Sequence, residues 1–144
     1  MSQHWSFVAM EYYALILNRT YLVRVGDDEI VGSVCRGLTS VEGGGDRLSR
    51  ALAAKLAVHG NLADPESYVD DATLAKSHRA NFAIPFSAVQ SVTHDPRKKW
   101  GMGYYPHDGR IHIATSEGSR EFIILGTQSG REIAARLNFA IGAA

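Results

Sequence analysis

The sequence has a single cysteine, no long apolar run and no excess of charge of either sign. Cys35 has no second cysteine with which to form an intrachain disulfide, which fits a reducing compartment. Fifteen basic and fifteen acidic residues give a formal net charge of zero, which argues against a general binder of nucleic acid or anionic membranes. No apolar run approaches the roughly 18 residues of a membrane-spanning helix. The first residues lack the basic and apolar regions of a signal peptide. We therefore expect a cytoplasmic protein.

Motifs that carry chemistry are equally scarce. The histidines show no H-x-x-x-H or H-E-x-x-H spacing, so we expect neither a metal site nor a cofactor. His94, His107 and His112 would form a small-ligand or enzymatic cavity if they met at one end of a sheet, although turn and surface positions explain each of them. No residue is placed to act as the base that would activate Cys35 as a nucleophile. An enzymatic role is therefore the less favoured interpretation.

The chain does contain a regular apolar pattern. Its 144 residues are 45% apolar and 21% charged, which suits one domain, residues 1–144, built around one core. Trp5 and Phe7 alternate as in a half-buried strand. Further extended segments are predicted at residues 12–17, 21–25, 29–35, 83–92 and 100–105. Turns are predicted at residues 18–20 and 26–28, and a bulge at Gly32. This succession of short strands predicts an antiparallel sandwich or barrel.

The closing stretch predicts a hairpin followed by a helix. Strands at residues 110–115 and 120–125 flank a turn that includes Gly118, and a further turn is predicted at residues 107–109. The helix shows one apolar stripe, formed by Ile133, Leu137, Ala140 and Ile141. Ser129 and Glu132 have the spacing of a capping box, in which each side chain bonds to the backbone of the other residue. The stripe must lie on another element, and the preceding strands are the nearest.

Residues 40–80 interrupt the strands with two predicted helices, at about 46–59 and 65–78. Leucines recur on one face of the first helix, and the second carries its own apolar side. The apolar positions that we single out are Leu48, Leu52, Leu56, Tyr68 and Val69. One interpretation is a surface for a partner or for a second copy of the chain, because two short helices bury little on each other. The alternative is that both helices fold down on the open side of the sheet and complete the core.

The basic residues form only one cluster, Arg97, Lys98 and Lys99, which Trp100 follows directly. This cluster is a candidate for contact with an anion or a lipid headgroup, with the tryptophan at the membrane interface. The alternative is a solvated loop tip whose tryptophan packs inward. Three such charges contribute at most about 1 kcal/mol each near an anionic surface, so peripheral membrane contact through them alone would be weak.

The apolar stretch with a short polar turn at residues 14–22 and the Ile84-Pro85 pair in residues 84–92 resemble segments of bacterial pleckstrin-homology-like domains. Residues 14–22 resemble the first hairpin of that family, in which an apolar strand turns at a short polar segment into a second strand. In residues 84–92, Ile84 and Pro85 resemble the family's Ile-Pro pair, which precedes a short helical turn and a valine. The final hairpin and helix match the family's ending, so the resemblance covers residues 1–38 and 81–141. It implies a mainly β fold, a strongly bent antiparallel sheet of about seven strands capped by a C-terminal helix. Residues 40–80 stand where the family has a short loop.

The resemblance also bears on function. Members that bind phosphoinositides hold several lysines and arginines around the first strand loop, where this chain offers only Arg19 and Arg24. Other members bind peptides or proteins, or serve as scaffolds. The resulting hypothesis is a non-enzymatic binding or protein-interaction module, with a protein or a second copy as its partner. The alternatives are a lipid-headgroup binder through the basic cluster and a cavity that uses the histidines.

Overall fold

The computed structural model describes residues 4–12, 18–35, 79–97, 107–126 and 128–143. Within these ranges the chain is mainly β, as predicted, with seven strands, a short 3-10 turn and one α-helix. The strands are β1 (Trp5–Tyr12), β2 (Asn18–Val25), β3 (Glu29–Val34), β4 (Phe82–Pro85), β5 (Val89–Asp95), β6 (His107–Thr115) and β7 (Gly118–Leu125). The 3-10 turn is Phe86–Ala88, and the helix α1 is Gly130–Ala143.

All seven strands belong to one antiparallel sheet in the order β4-β3-β2-β1-β7-β6-β5. The sheet curls into a half-barrel, so that its two edge strands, β4 and β5, are joined directly by the 3-10 turn. Pro85 ends β4, where its missing N–H costs no ladder bond in the sheet interior. The prediction of a strand break at this proline, followed by a short helical turn, is confirmed.

The core fills the inner, concave side of the half-barrel. Alternate residues of each strand point inward, among them Phe7 of β1, Ile111 of β6 and Phe122 of β7. Helix α1 packs on the same side with Ile133, Ala134 and Leu137 buried. The predicted apolar stripe of the helix is therefore confirmed, with Ala140 and Ile141 partly buried at its end.

The outer face of the central strands is buried as well. Five apolar side chains on this face have at most 4% of their surface exposed, and they are Val8, Met10, Leu22, Ile123 and Leu125. They alternate with the inward residues of β1, β2 and β7. The register places Val8 opposite Leu22, and Met10 opposite Ile123. We call these five residues the outer apolar patch. β1 and β7 are apolar on both faces, a pattern typical of strands covered on both sides.

Two residues fix the start of α1. The Ser129 hydroxyl oxygen accepts a hydrogen bond from the Glu132 N–H at 3.2 Å, as expected for the cap of a capping box. The Gly130 N–H donates to the carboxylate of Asp108, 2.8 Å away on β6. A carboxylate at this end of a helix also interacts favourably with the helix dipole. Ser129 is confirmed as the cap, and Asp108 is an additional one supplied by the sheet.

Three local predictions are wrong. Residues 18–20 do not turn but begin β2. Residues 107–109 belong to β6 rather than to a turn, and the ladder register shifts there because Gly109 takes a φ of 68° in a bulge. Gly32 is not a bulge, since it pairs regularly with Val23. A Cβ at Gly32 would instead collide with the ring of Phe82, so close packing explains this glycine.

Some predictions fall on residues outside the described ranges. These are the two-helix insertion at 46–78, the strand at 100–105 and most of the segment at 12–17. The single-domain assignment of residues 1–144 also stays a prediction. Within the described ranges, no helix combines the length and apolar character that crossing a membrane requires.

Candidate functional site

An open groove of about 680 Å³ runs along one side of α1. Its other walls are the start of β1, the turn between β2 and β3, and the 3-10 turn. The residues that line it are Trp5, Gly26, Asp27, Phe86, Glu132, Ala135, Arg136, Phe139, Ala140 and Ala143. We call this space the α1 groove.

Two backbone hydrogen bonds and one buried ring hold these walls together. The Gly26 N–H donates to the Glu29 carbonyl at 2.9 Å and closes the tight turn between β2 and β3. The Phe86 N–H donates to the Asp28 carbonyl at 2.8 Å, which ties the 3-10 turn to the same hairpin. Phe86 is 5% exposed and belongs to the core, so its ring anchors one side of the α1 groove.

The floor of the α1 groove is aromatic and carries a stacked arginine. The Arg136 guanidinium lies 4.0 Å from the centroid of the Trp5 ring, within the range of a cation–π interaction. Trp5 in turn packs against Phe7, with the ring centroids 5.8 Å apart. Two carboxylates, Asp27 and Glu132, line the α1 groove beside this stack. The exposed His4 imidazole lies 3.6 Å from the Asp27 carboxylate.

Phe139 stands out on this surface because 79% of it is exposed. It is the one large apolar side chain of the described residues with such exposure. On α1 it follows Ala135 by one turn and precedes Ala143 by one turn, so it sits between small residues on the solvent side of the helix. The ring therefore adds exposed apolar surface at the edge of the α1 groove.

A second cluster of charged and aromatic groups lies on the inner side at the opposite end of the strands. The Arg120 guanidinium donates to the Glu11 carboxylate and lies 4.0 Å from the centroid of the Phe82 ring. The Tyr21 hydroxyl donates to the same carboxylate at 3.4 Å. Burial, and after it the Glu11 charge, raise the pKa of Tyr21. The groups satisfy one another, so this cluster is structural.

The predicted basic cluster is described only at Arg97. Its guanidinium makes three hydrogen bonds to the Asp95 carboxylate, the shortest 2.8 Å long. Asp95 also accepts from Arg110 at 2.8 Å. Hydrogen bonds from the Arg97 side chain, followed by that from its backbone N–H, lower the pKa of Asp95. The Arg97 charge is thus paired with Asp95 at the surface, and its role in anion binding stays a prediction. Lys98, Lys99 and Trp100 lie outside the described residues.

The structure does not bring the three candidate histidines together. His94 pairs with the inward Ile111, and its Nε2 lies 3.0 Å from the Asp108 carbonyl beside the start of α1. His112 is on the opposite, outer face, where its Nδ1 lies 3.7 Å from the Glu121 carboxylate. His107 is 9% exposed and pairs with Leu125. In the described ranges, no three His, Cys, Asp or Glu side chains are grouped to hold a metal ion.

The remaining site predictions have separate outcomes. Cys35 is buried, as predicted, and burial raises the pKa of its thiol to about 12. The predicted interaction surface lies outside the described residues, and its members are Leu48, Leu52, Leu56, Tyr68 and Val69.

The α1 groove itself was missed by sequence reasoning. Phe139 lies off the apolar stripe of α1. A large aromatic residue away from the buried stripe of a helix is the sequence signal that would have indicated the groove.

No protein-family model matches this sequence, and a search of curated proteins finds no significant relative.

Proposed function

We propose that the chain is a non-enzymatic binding module that holds a short segment of a partner protein in the α1 groove. The observation that carries this proposal is Phe139, exposed over 79% of its surface at the edge of the groove. Aromatic residues contribute strongly at protein interfaces because they bury a large area at a small cost in side-chain entropy. A partner segment bound in the groove would cover this ring and remove its apolar surface from water.

The lining of the α1 groove defines the chemistry of that segment. Trp5, Ala135 and Phe139 offer apolar surface, which suits an apolar or aromatic anchor. Asp27 and Glu132 carry two negative charges beside it, whereas the Arg136 guanidinium is engaged on the Trp5 ring. Complementary charge favours a basic residue next to the anchor. The proposed ligand is therefore a peptide segment that combines an apolar anchor with lysine or arginine.

We also propose that the fold is pleckstrin-homology-like. The strand order β4-β3-β2-β1-β7-β6-β5 supports this, because β1 to β4 and β5 to β7 form two meanders that are joined where β1 pairs with β7. The Ile84-Pro85 pair followed by a 3-10 turn, and the closing helix on the inner face, are further support. Members of that family that bind peptides or proteins fit the proposed role.

A selection of random peptides on the immobilised chain tests the binding proposal. We expect enriched peptides to share an apolar residue next to a basic one, and to lose at least about tenfold in affinity for Phe139→Ser. Arg131→Ser is the matched control, because Arg131 is an exposed residue of α1 that does not line the groove. Failure to enrich any common pattern, or equal binding to Phe139→Ser and wild type, would refute the proposal.

The lipid-headgroup alternative through Arg97, Lys98, Lys99 and Trp100 stays a prediction. Sedimentation with neutral and with anionic vesicles decides it. Equal partition to both kinds of vesicle, unchanged by Lys98→Glu, would end it.

A further inference from the structure

The outer apolar patch has no partner among the described elements. Helix α1 and the 3-10 turn both pack on the inner face, since their buried side chains belong to the core there. Yet Val8 and Leu22 are 0% exposed, and Met10 and Ile123 are 2% and 1% exposed, in a single chain. Apolar surface of this extent on three adjacent strands costs free energy if it meets water.

Cys35 extends the buried surface to the end of β3. It follows the core residue Val34, so by alternation it lies on the outer side of the sheet. Its N–H donates to the Thr20 carbonyl at 2.8 Å, next to the patch, and the residue is 2% exposed. The segment of residues 36–78 therefore leaves the sheet at the margin of the outer apolar patch. It is by far the longest stretch outside the described ranges.

We propose that residues 36–78 dock on the outer apolar patch and seal the convex face of the half-barrel. Leu48, Leu52 and Leu56 recur every four residues, the spacing of one helix face, and would supply the apolar contacts. The other stretches outside the described ranges are far shorter. This arrangement assigns the segment to the chain's own fold and leaves the α1 groove as the surface for other proteins. It is independent of the proposed function, because it concerns the opposite face of the sheet.

The single cysteine allows a direct test. A thiol reagent can modify only Cys35, and its burial both blocks access and raises the pKa of the thiol, so little thiolate is present at neutral pH. We expect the native protein to react far more slowly than the urea-unfolded chain. Leu52→Asp should raise the native rate at least about tenfold by loosening the docked segment. Arg50→Asp, the same change on the face predicted to be solvated, should leave the rate unchanged.

Equal rates for the native and the unfolded wild type would overturn the proposal, as would a folded Leu52→Asp whose rate matches that of Arg50→Asp. The far-UV circular dichroism of each variant shows whether it is folded. Protection that is lost when the native protein is diluted would assign the patch to a second copy of the chain, which also overturns the proposal.

Cross-linking gives a second answer that does not depend on introducing a charge into the segment. In a Cys35→Ser background, Leu22→Cys is combined in turn with cysteine at positions 48, 52 and 56, and with Arg47→Cys or Arg50→Cys as controls. Mild oxidation should form an intrachain disulfide with at least one of the three leucine positions and with neither control. If no leucine position cross-links to position 22 within one chain, the segment does not dock there.

Discussion

The side-chain amide of Gln128 takes the place of a backbone partner for Val8. Its Oε1 accepts from the Val8 N–H at 3.0 Å, and its Nε2 donates to the Val8 carbonyl at 2.8 Å. The second Nε2 hydrogen is donated to the Leu125 carbonyl, also at 2.8 Å. The ladder between β1 and β7 has only two backbone pairs, Ala9 with Ile124 and Met10 with Ile123. Gln128 therefore extends the hydrogen-bonded junction between β1 and β7, which we call the β1–β7 seam.

Replacing Gln128 should weaken this seam strongly. The residue is 5% exposed, so Gln128→Leu leaves buried backbone groups without partners and should cost about 3 kcal/mol of unfolding free energy. Gln128→Glu should cost at least as much at neutral pH, because a carboxylate oxygen would face the carbonyls that now accept hydrogen bonds. Urea denaturation measures both changes. Gln90→Leu, at an exposed position of β5, is the matched control, and a loss at Gln128 no larger than at Gln90 would contradict this account.

The packing of Gly32 against Phe82 gives a second prediction. A Cβ at position 32 would collide with the Phe82 ring, which also packs on Tyr21 and Phe122. Gly32→Ala should therefore destabilise the protein by about 2 kcal/mol. Gly142→Ala is the control, because nothing lies within 4 Å of a Cβ there and alanine favours the helix by roughly 0.5–1 kcal/mol.

A double variant separates collision from other effects at the same position. In a Phe82→Leu background the smaller side chain makes room, so the cost of Gly32→Ala should fall by at least about 1 kcal/mol. Thermal or urea unfolding of the four proteins completes the cycle. Strictly additive losses would show that the ring is not the obstacle.

Periodicity along the sequence reveals some features of this fold and not others. Ile133 and Leu137 recur at helical spacing, and the residues around Gly118 form a turn, so the closing hairpin and helix could be predicted from local pattern. The bulge at Gly109 could not, because a strand that continues through a positive-φ glycine looks the same in sequence as a turn. The close approach at Gly32 depends on Phe82, which pairs with it from a distant part of the chain.

The candidate site was harder to predict than the fold. The α1 groove joins Trp5, Asp27, Phe86 and Phe139, which lie far apart in sequence and share no motif. A cavity formed by the histidines requires their side chains to lie on one face of the sheet. Adjacent strand positions such as Ile111 and His112 point to opposite faces, so the sequence alone could not test that requirement. Long-range strand pairing determines both which residues line the groove and which face each histidine occupies, and no local spacing in the sequence encodes that pairing.

Asp95 should make stability depend on pH in the acid range. Its pKa is lowered in the folded protein from an ordinary value of 3.8, chiefly by hydrogen bonds from the Arg97 side chain. The ionised carboxylate therefore stabilises the fold above that value, and this contribution is lost as the pH falls from about 4 toward the folded pKa. Asp95→Asn should lower the melting temperature at neutral pH. The difference in melting temperature between Asp95→Asn and wild type should become smaller below about pH 4.

Melting curves between neutral pH and pH 2 measure this gap. Glu117→Gln, which removes an exposed carboxylate in the turn between β6 and β7, serves as the matched control. A gap between Asp95→Asn and wild type that stays constant down to the lowest pH would show that the carboxylate charge is not the stabilising feature.

The far end of the β1–β7 seam should depend on Glu11 and Arg120. The Arg120 Nε donates to Glu11 Oε2 at 2.9 Å, and its second guanidinium nitrogen donates to Oε1 at 2.6 Å. Only 16% of the Glu11 side chain and 27% of the Arg120 side chain are exposed. Removing either partner leaves the other charge largely buried and unpaired. Glu11→Gln or Arg120→Met should therefore each lower the free energy of unfolding by about 2 kcal/mol. Arg120→Lys should recover little, because an ammonium cannot reproduce the paired bonds or lie flat over the Phe82 ring.

A double-mutant cycle measures the pair itself. Glu11→Gln combined with Arg120→Met should cost about 1–2 kcal/mol less than the sum of the two single changes, because the second change leaves no further charge unpaired. Arg131→Met, at an exposed position of α1, is the control for losing an arginine. Additive losses would mean that packing of the Arg120 stem on Phe82, rather than its bonds to Glu11, holds this end of the seam.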